Sequence, residues 1–409
     1  MAKKKYDWEE GAILEEHSRK KHQILRDYFY QYVITRCKHP QVRKFRLAVV
    51  DGFSGAGQYK CGTAGSPIIF VEELNRALTD INTYRAVNNL PLVDIECSLF
   101  LNDAERMAID ILERVLNPII LHHSISNSRL KVQARYSTEL FEHAYPRIRA
   151  QIKSEKYPNI IFNLDQCGHS HVDTATLIDM MNLNESVEIF YTFVISSLLA
   201  FLKQHDPKTL SSQLAYLQLS SRDFEILEEK QSKTAWLGVA ENIVFENFKK
   251  CAKFVSPFSI NNPNGWRYWL IHLANSYRAR QVYNDRLHQN SETQAHFGRS
   301  GLGMLAHDPS EGKTLYLFNE SARDQAKDQL REDIPKFLHD SAPALSVRDF
   351  FERIYNNTPA HSDDINAALL GSNEIEIQTA TGGTRRKASQ IHTTDIIAFK
   401  KQRSFFFPK

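Results

Sequence analysis

Asp51-Gly52-Phe53-Ser54-Gly55-Ala56-Gly57 follows the apolar run 46–50, so a buried strand feeds straight into a glycine loop. Glycines at a strand-to-helix turn let the backbone approach a ligand with no Cβ in the way. Asp51, at the strand end, is placed to accept from a cationic amine or a ribose hydroxyl, with Phe53 and Ser54 completing the loop. Leucine at Gly57 is expected to intrude where the backbone must touch that ligand. Asp103 ends the next strand, where an acid receives the 2′- and 3′-hydroxyls of an adenosine ribose; it reads equally as the N-cap of a helix over 104–116. Ser137, after the third strand, falls where an adenine edge would lie. A dinucleotide loop wants G-x-G-x-x-G, but Lys60 holds the third glycine's place and the loop runs on to Gly65. A purely structural turn is the plain alternative.

Asn163-Leu164-Asp165-Gln166-Cys167-Gly168 leaves the fourth strand toward the same edge of the sheet. Two chemistries are open there. Enzymes that methylate amines place an acid at this point to hold the target nitrogen, followed by proline and an aromatic ring; Asp165 keeps the acid, and neither proline nor aromatic follows. Enzymes that methylate pyrimidine C5 use a cysteine from this loop as the nucleophile, which would be Cys167, but the Glu-Asn step they need after strand five is missing. A buried, inert Cys167 is the plain reading. Cys167, His169 and His171 fit no common zinc spacing, so no metal is expected.

Helical periodicity over 9–33 predicts a leading helix, or two. Strands are expected at 46–50, 97–101, 131–134, 159–164 and 187–194, with helices between them, one opened by Ser66 as N-cap and Pro67 at its first position. Alternation of this kind gives an α/β, doubly wound, mostly parallel sheet. The runs 254–260 and 266–273 flank Asn261-Asn262-Pro263-Asn264-Gly265 and read as a terminal antiparallel hairpin. A parallel sheet that closes on a reversed hairpin is of the class I methyltransferase type.

Composition changes after Ser291. The boundaries expected are a Rossmann-type domain with an N-terminal helical extension over 1–295, a linker or insertion over 296–320, and a small winged helix-turn-helix domain over 321–409. The last has helices at 323–339, 346–354 and from 362, then strands at 374–379 and 391–399. Its wing carries Arg385, Arg386 and Lys387, candidates for nucleic-acid phosphates. Asp363 and Asp364 open the third helix and would repel DNA there, so a protein-docking role stays open.

At 409 residues, with a net charge of +3, the chain as a whole is neither polyanion-seeking nor acidic. Five cysteines, scattered and odd in number, argue for a reducing compartment. The apolar stretch 190–202 is interrupted by Thr192, Ser196 and Ser197, too short to span a bilayer. A cytoplasmic protein with no membrane contact is expected.

Taken together, Trp8 with Gly11-Ala12, Lys21 ahead of an aromatic helix, the loop 51–57, Gly65-Ser66-Pro67, Asp165 with Gly168 and the Arg-Arg-Lys wing make the chain resemble the three-Cys-motif partner (TcmP) family. The resemblance implies a methyltransferase-like protein using S-adenosyl-L-methionine, working with a neighbouring three-Cys-motif, radical-SAM-like protein. The winged helix would dock DNA or RNA, or that partner. It also leaves open a non-catalytic adaptor derived from a methyltransferase. The family's strand-four loop resembles Asp-Pro-Phe-Gly; Gln166 and Cys167 stand here for its proline and phenylalanine.

Overall fold

The computed structural model describes residues 11–166, 172–194, 243–261, 267–289, 296–297, 315–316, 320–358 and 360–400. The chain divides into two compact units, Met1–Arg286 and Leu287–Lys409.

In the first unit β1 (Lys44–Asp51), β2 (Asp94–Asn102), β3 (Leu130–Ser137), β4 (Ile160–Leu164) and β5 (Val187–Phe193) are parallel. β6 (Phe254–Asn261) and β7 (Arg267–Ala274) form an antiparallel hairpin whose second strand pairs with β5, Phe193 opposite Trp269. The order is β3-β2-β1-β4-β5-β7-β6, the doubly wound, class I methyltransferase type with a reversed end. All five residues of β4 are buried, as a strand covered on both faces requires. The chain runs outward from β1 to β3, then returns to place β4 on the other side of β1. That reversal opens a crevice at the carboxyl ends of β1 and β4, where such sheets bind ligands.

The helices are α1 (Glu16–Cys37), α2 (Ser66–Val87), α3 (Arg106–Ser126), α4 (Phe141–Glu155), α5 (Thr174–Met181) and α6 (Tyr277–Leu287). α1 starts later than its periodicity suggests, because Gly11 sits at φ +82° and Ala12 turns its carbonyl to the Lys60 amide at 2.9 Å. α3 runs well past the expected end at 116, straight through Pro118. Its length follows from the crossover. Nine strand residues of β2 advance the chain by about 30 Å, and only about 20 helical residues bring it back. Ser66 is not the N-cap of α2; Gly65 is, because the Ser66 hydroxyl is engaged elsewhere.

α1 lies across the sheet on a buried polar knot. Glu188 on β5 accepts from the Tyr28 hydroxyl and lies 3.2 Å from His272 Nε2 on β7. Burial, with the Glu188 carboxylate beside it, pushes the Tyr28 phenol well above its ordinary range. Arg36 Nη2 stands 3.7 Å from the same carboxylate. The first turns of α1 are thereby held at the carboxyl edge of the sheet. At the opposite edge Arg85, 1% exposed, donates to the carbonyls of Cys37, His39, Val42 and Pro91 at 2.6–3.0 Å.

In the second unit α7 (Glu320–Ser341), β10 (Ala344–Ser346), α8 (Val347–Ile354), α9 (Ser362–Gly371), β11 (Ile375–Gln378) and β12 (Ile396–Phe399) make a winged helix with sheet order β10-β12-β11. A two-residue ladder, β8 (His296–Phe297) with β9 (Leu315–Tyr316), precedes it. Ala326, Leu330, Ile334 and Leu338 form one stripe of α7 and are buried, as are Phe350, Ile365, Leu369 and Ile397. Ser346 caps α8 by accepting from the Asp349 amide. β10 escapes sequence reading because three residues carry no periodicity. β12 starts at Ile396 rather than 391, since His392 to Asp395 fold into a turn closed by the Asp395 carboxylate. Among the described residues no helix is long and apolar enough to cross a membrane.

Arg85 binds four carbonyls with one side chain, so Arg85→Met leaves them buried and unpaired. Chemical denaturation should show a loss of roughly 2–4 kcal/mol. A loss under half a kcal/mol would mean that water replaces the guanidinium.

Candidate functional site

Asp51 is fully buried at the end of β1. Its Oδ2 accepts from the Ser66 hydroxyl at 2.6 Å, and its Oδ1 lies 3.4 Å from the Phe53 amide. Asn163, its cross-strand partner on β4, is buried with no full hydrogen bond on its side-chain nitrogen, yet lies near enough to favour the charged form of Asp51. Burial outweighs these donors and pushes the Asp51 carboxyl up to about 7, with the Asp165 charge adding to the rise.

Gly55 has φ +57° and Gly57 φ +77°, conformations that a side chain disfavours. The turn is pinned from two sides. The Gly55 amide donates to Asp103 Oδ2 at 3.0 Å, and the Ser54 amide to the Asn102 carbonyl at 2.9 Å. The Ser54 hydroxyl donates to the Asp51 carbonyl. Gly65 returns against Gly57, its amide donating to the Gly57 carbonyl at 2.7 Å, and a Cβ on Gly65 would stand 2.9 Å from that oxygen. A Cβ on Gly57 would meet Leu112 of α3 at 2.4 Å. Gly57 thus serves close packing of loop on helix; its missing side chain does not face the crevice, contrary to the expectation for leucine there. Gly52, which sequence reading passed over, leaves room for the Phe141 ring, 2.8 Å from where its Cβ would be. Phe53 tilts against the same ring at 5.6 Å.

Asp103 is not the N-cap of α3; Glu105 takes that position. Its second oxygen accepts from the Glu105 amide at 2.9 Å. Burial raises its carboxyl above the usual range despite these amides. Ser137, the last residue of β3, donates to Asn102 Oδ1 at 2.6 Å, while Asn102 Nδ2 reaches the Gly52 and Glu139 carbonyls. Asp51, Phe53, Ser54, Gly55, Gly57, Asp103 and Ser137 therefore lie in one connected patch at the carboxyl ends of β1 to β3.

Asp165 stands at the carboxyl end of β4 and accepts from the Lys21 ammonium. Lys21, on α1, is itself 8% exposed. Burial alone would raise the Asp165 carboxyl; the Lys21 charge and hydrogen bond, with the Thr192 hydroxyl, hold it below the usual range. Beside this pair is His22, whose ring lies 5.5 Å from that of Tyr59 in the glycine loop. Burial drives its imidazole down to about 4, against the pull of Asp165. The periodicity of α1 pointed to its apolar stripe and gave no reason to single out His22. Gln166, just past β4, donates to the Tyr191 hydroxyl on β5 at 2.7 Å and accepts from the Val172 amide at 3.2 Å. Cys167, Gly168, His169 and His171 lie outside the described residues, as does Trp8. Among the described residues no group of three side chains is arranged to hold a metal.

On the winged helix, Arg385 is bound at two points to Asp395, at 2.8 and 3.1 Å. It closes the wing. Arg386 and Lys387 are exposed at the tip. Of the two acids opening α9, Asp364 is buried and paired with Arg323 at 2.6 and 3.1 Å. Only Asp363 faces solvent, and its amide donates to the ring of His361.

Residues 306–382 match the family described as GMT-like wHTH domain, which ends before Arg385. The chain matches no curated protein. Among solved structures it is similar to loganic acid methyltransferase with SAH, at 10% identity and a TM-score of 0.24, over 80% of this chain and 94% of that one. At that score the likeness carries no argument. The strand order and the winged helix stand on the geometry above.

The raised Asp51 carboxyl has a sign that can be checked. Its neutral form is favoured by folding, so its contribution is full below the ordinary aspartate range and is lost as pH rises through about 7. Asp51→Asn has no such loss. Relative to wild type it should gain about 2 kcal/mol in unfolding free energy between pH 5.5 and 8.5. A pH-independent difference would mean that Asp51 is ionised throughout.

Proposed function

We propose that this chain is an S-adenosylmethionine-dependent methyltransferase-like protein of the three-Cys-motif partner kind, acting on nucleic acid together with a radical-SAM-like partner. The charge of the crevice carries the reading. Three carboxylates, Asp51, Asp103 and Asp165, meet the carboxyl ends of β1, β2 and β4, and Lys21 is the cation paired there. A site this acidic favours a cationic ligand and repels the pyrophosphate of a dinucleotide. The donor set suits the cofactor. Asp51 would take its amine, Asp103 its ribose hydroxyls, and Asn102 with Ser137 would border its adenine. When bound, the cofactor supplies an electrophilic methyl group on a sulfonium; the protein's part is to hold it, exclude water and aim the acceptor.

One observation favours the adaptor reading. The acid that should hold an acceptor amine, Asp165, is already occupied by Lys21. Calorimetry with S-adenosylmethionine and with NAD, followed by labelled methyl transfer to mixed DNA and RNA, separates the readings. The expected result is heat with the former alone, then label in nucleic acid. Heat with NAD alone would overturn the cofactor assignment, and cofactor binding without transfer to nucleic acid in the presence of the three-Cys partner would leave the adaptor.

The wing is the element we assign to phosphate. Arg386 and Lys387 are free to reach it, whereas Arg385 is held by Asp395. Arg386→Ala with Lys387→Ala should weaken DNA or RNA binding and flatten the log–log salt slope by about two units. Arg385→Ala should instead lower the melting temperature of the wing. If the double variant left nucleic-acid binding unchanged but lost the three-Cys partner in co-purification, the wing would be a protein-docking element.

A further inference from the structure

We infer that the outer face of α3 is an interface at which two copies of this chain pair about a two-fold axis, helix against antiparallel helix. Seven large apolar side chains are exposed among the described residues, and three of them, Met107, Leu121 and Ile125, belong to α3 at 46%, 61% and 76% exposure. They are aligned rather than scattered. At about 100° per residue, Met107, half-buried Ile111, Leu121 and Ile125 fall within about 40° of one line along the helix. The opposite side already carries the stripe that α3 spends on its own fold, with Ala108, Ile109, Leu112 and Leu116 buried. A second apolar stripe facing water marks a contact surface. Beneath α3 is β3, the edge strand of the sheet, whose Tyr136 hydroxyl donates to Asn117 Oδ1 at 2.8 Å. The sheet therefore ends at this face.

The order of residues selects the occupant, because the stripe reads the same from either end. Reversal about Leu116 exchanges Met107 with Ile125 and Ile111 with Leu121, so each apolar side chain takes the place of another. The same reversal exchanges Asp110 with His122, an acid with an imidazole, both exposed. A two-fold contact makes this demand: residue i meets j of the second copy, and j meets i. A different protein sets no such condition. At the middle Arg114 exchanges with Pro118. The Arg114 guanidinium folds back along its own helix, Nε donating to the Asp110 carbonyl at 3.2 Å, which draws the two arginines away from the axis. The uncharged Pro118 rings then face the joint. Each crevice lies at the N-terminal end of its own α3, where Leu112 stands over Gly57. An antiparallel pair thus sets the two crevices at opposite ends, about 30 Å apart along the helix axis.

The test is sedimentation velocity of the full chain from about 1 to 100 µM, the range in which a contact of one helix face on each side should associate. The expected result is a concentration-dependent species of twice the 47.2 kDa chain mass. Leu121→Glu with Ile125→Glu should raise the dissociation constant at least about a hundredfold, since pairing would bury four carboxylates with no partner. Both side chains are exposed in the single chain, so the variant should keep the wild-type circular dichroism and melting temperature. Register is read by a benzophenone amino acid in place of Leu121, which on irradiation should attach to residues 107–115 of a second chain and yield an adduct of dimer mass. A chain that stays monomeric at every concentration overturns the inference, as does a double variant that associates like wild type. An adduct of single-chain mass would show that the chain covers this face itself, and an adduct with the three-Cys partner in place of a second copy would give the face to that protein; either result overturns the pairing.

Discussion

The gathering of three carboxylates, Asp51 buried and Asp103 and Asp165 half-buried, at the point where the sheet reverses is the constraint around which the first unit is arranged. An ionised carboxylate out of water is costly unless something answers its charge. Asp165 is answered by Lys21. Asp103 is answered in part by two backbone amides, from Gly55 and Glu105. Asp51 is answered only by a hydroxyl, a distant amide and its neighbour Asn163, so it rises to about 7. An incomplete charge balance in a crevice is a binding device. A ligand that brings positive charge gains what the resting protein lacks, and the sites that lack it most are at β1 and β2.

α1 supplies the cation paired with Asp165, and its placement depends on contacts far from the crevice. The Glu188 knot with Tyr28, His272 and Arg36 fixes the helix on the sheet. Farther along, the same helix delivers Lys21 and His22 to the carboxyl edge. Gly11 and Ala12 continue from it over the glycine loop, with a Cβ on Gly11 only 3.1 Å from the Lys60 Cα. The N-terminal region is thus part of the site and not an appendage to it. Packing at the knot sets geometry at Asp165, so changes in a buried tyrosine would be felt in the chemistry.

Much of this was legible in the residues. The order of strands and the terminal hairpin follow from short apolar runs punctuated by glycine, proline and asparagine, and these local signals are strong. Asp51, Gly55 and Asp103 were legible because strand ends and glycine turns fix where backbone and carboxylates go. What stayed hidden was pairing across distance. No spacing rule joins Lys21 to Asp165, Arg323 to Asp364 or Ser66 to Asp51, and each of these changed a role. Ser66 gave up its cap, Asp364 ceased to be a surface charge, and Asp165 ceased to be a free acid. His22 was invisible because a histidine in a helix has no signature until its surroundings are known. Lengths were misjudged where the sheet's dimensions override propensity, as in α3 through Pro118.

The most direct measurement of the central claim is the proton balance of cofactor binding. S-adenosylmethionine is titrated calorimetrically at pH 6.0 in two buffers of different ionisation enthalpy, and again at pH 8.5. If a cationic amine completes the charge balance at Asp51, binding at pH 6.0 releases close to one proton per cofactor, and at pH 8.5 the release disappears. Binding with no proton release at pH 6.0, or no binding at either pH, would contradict the account.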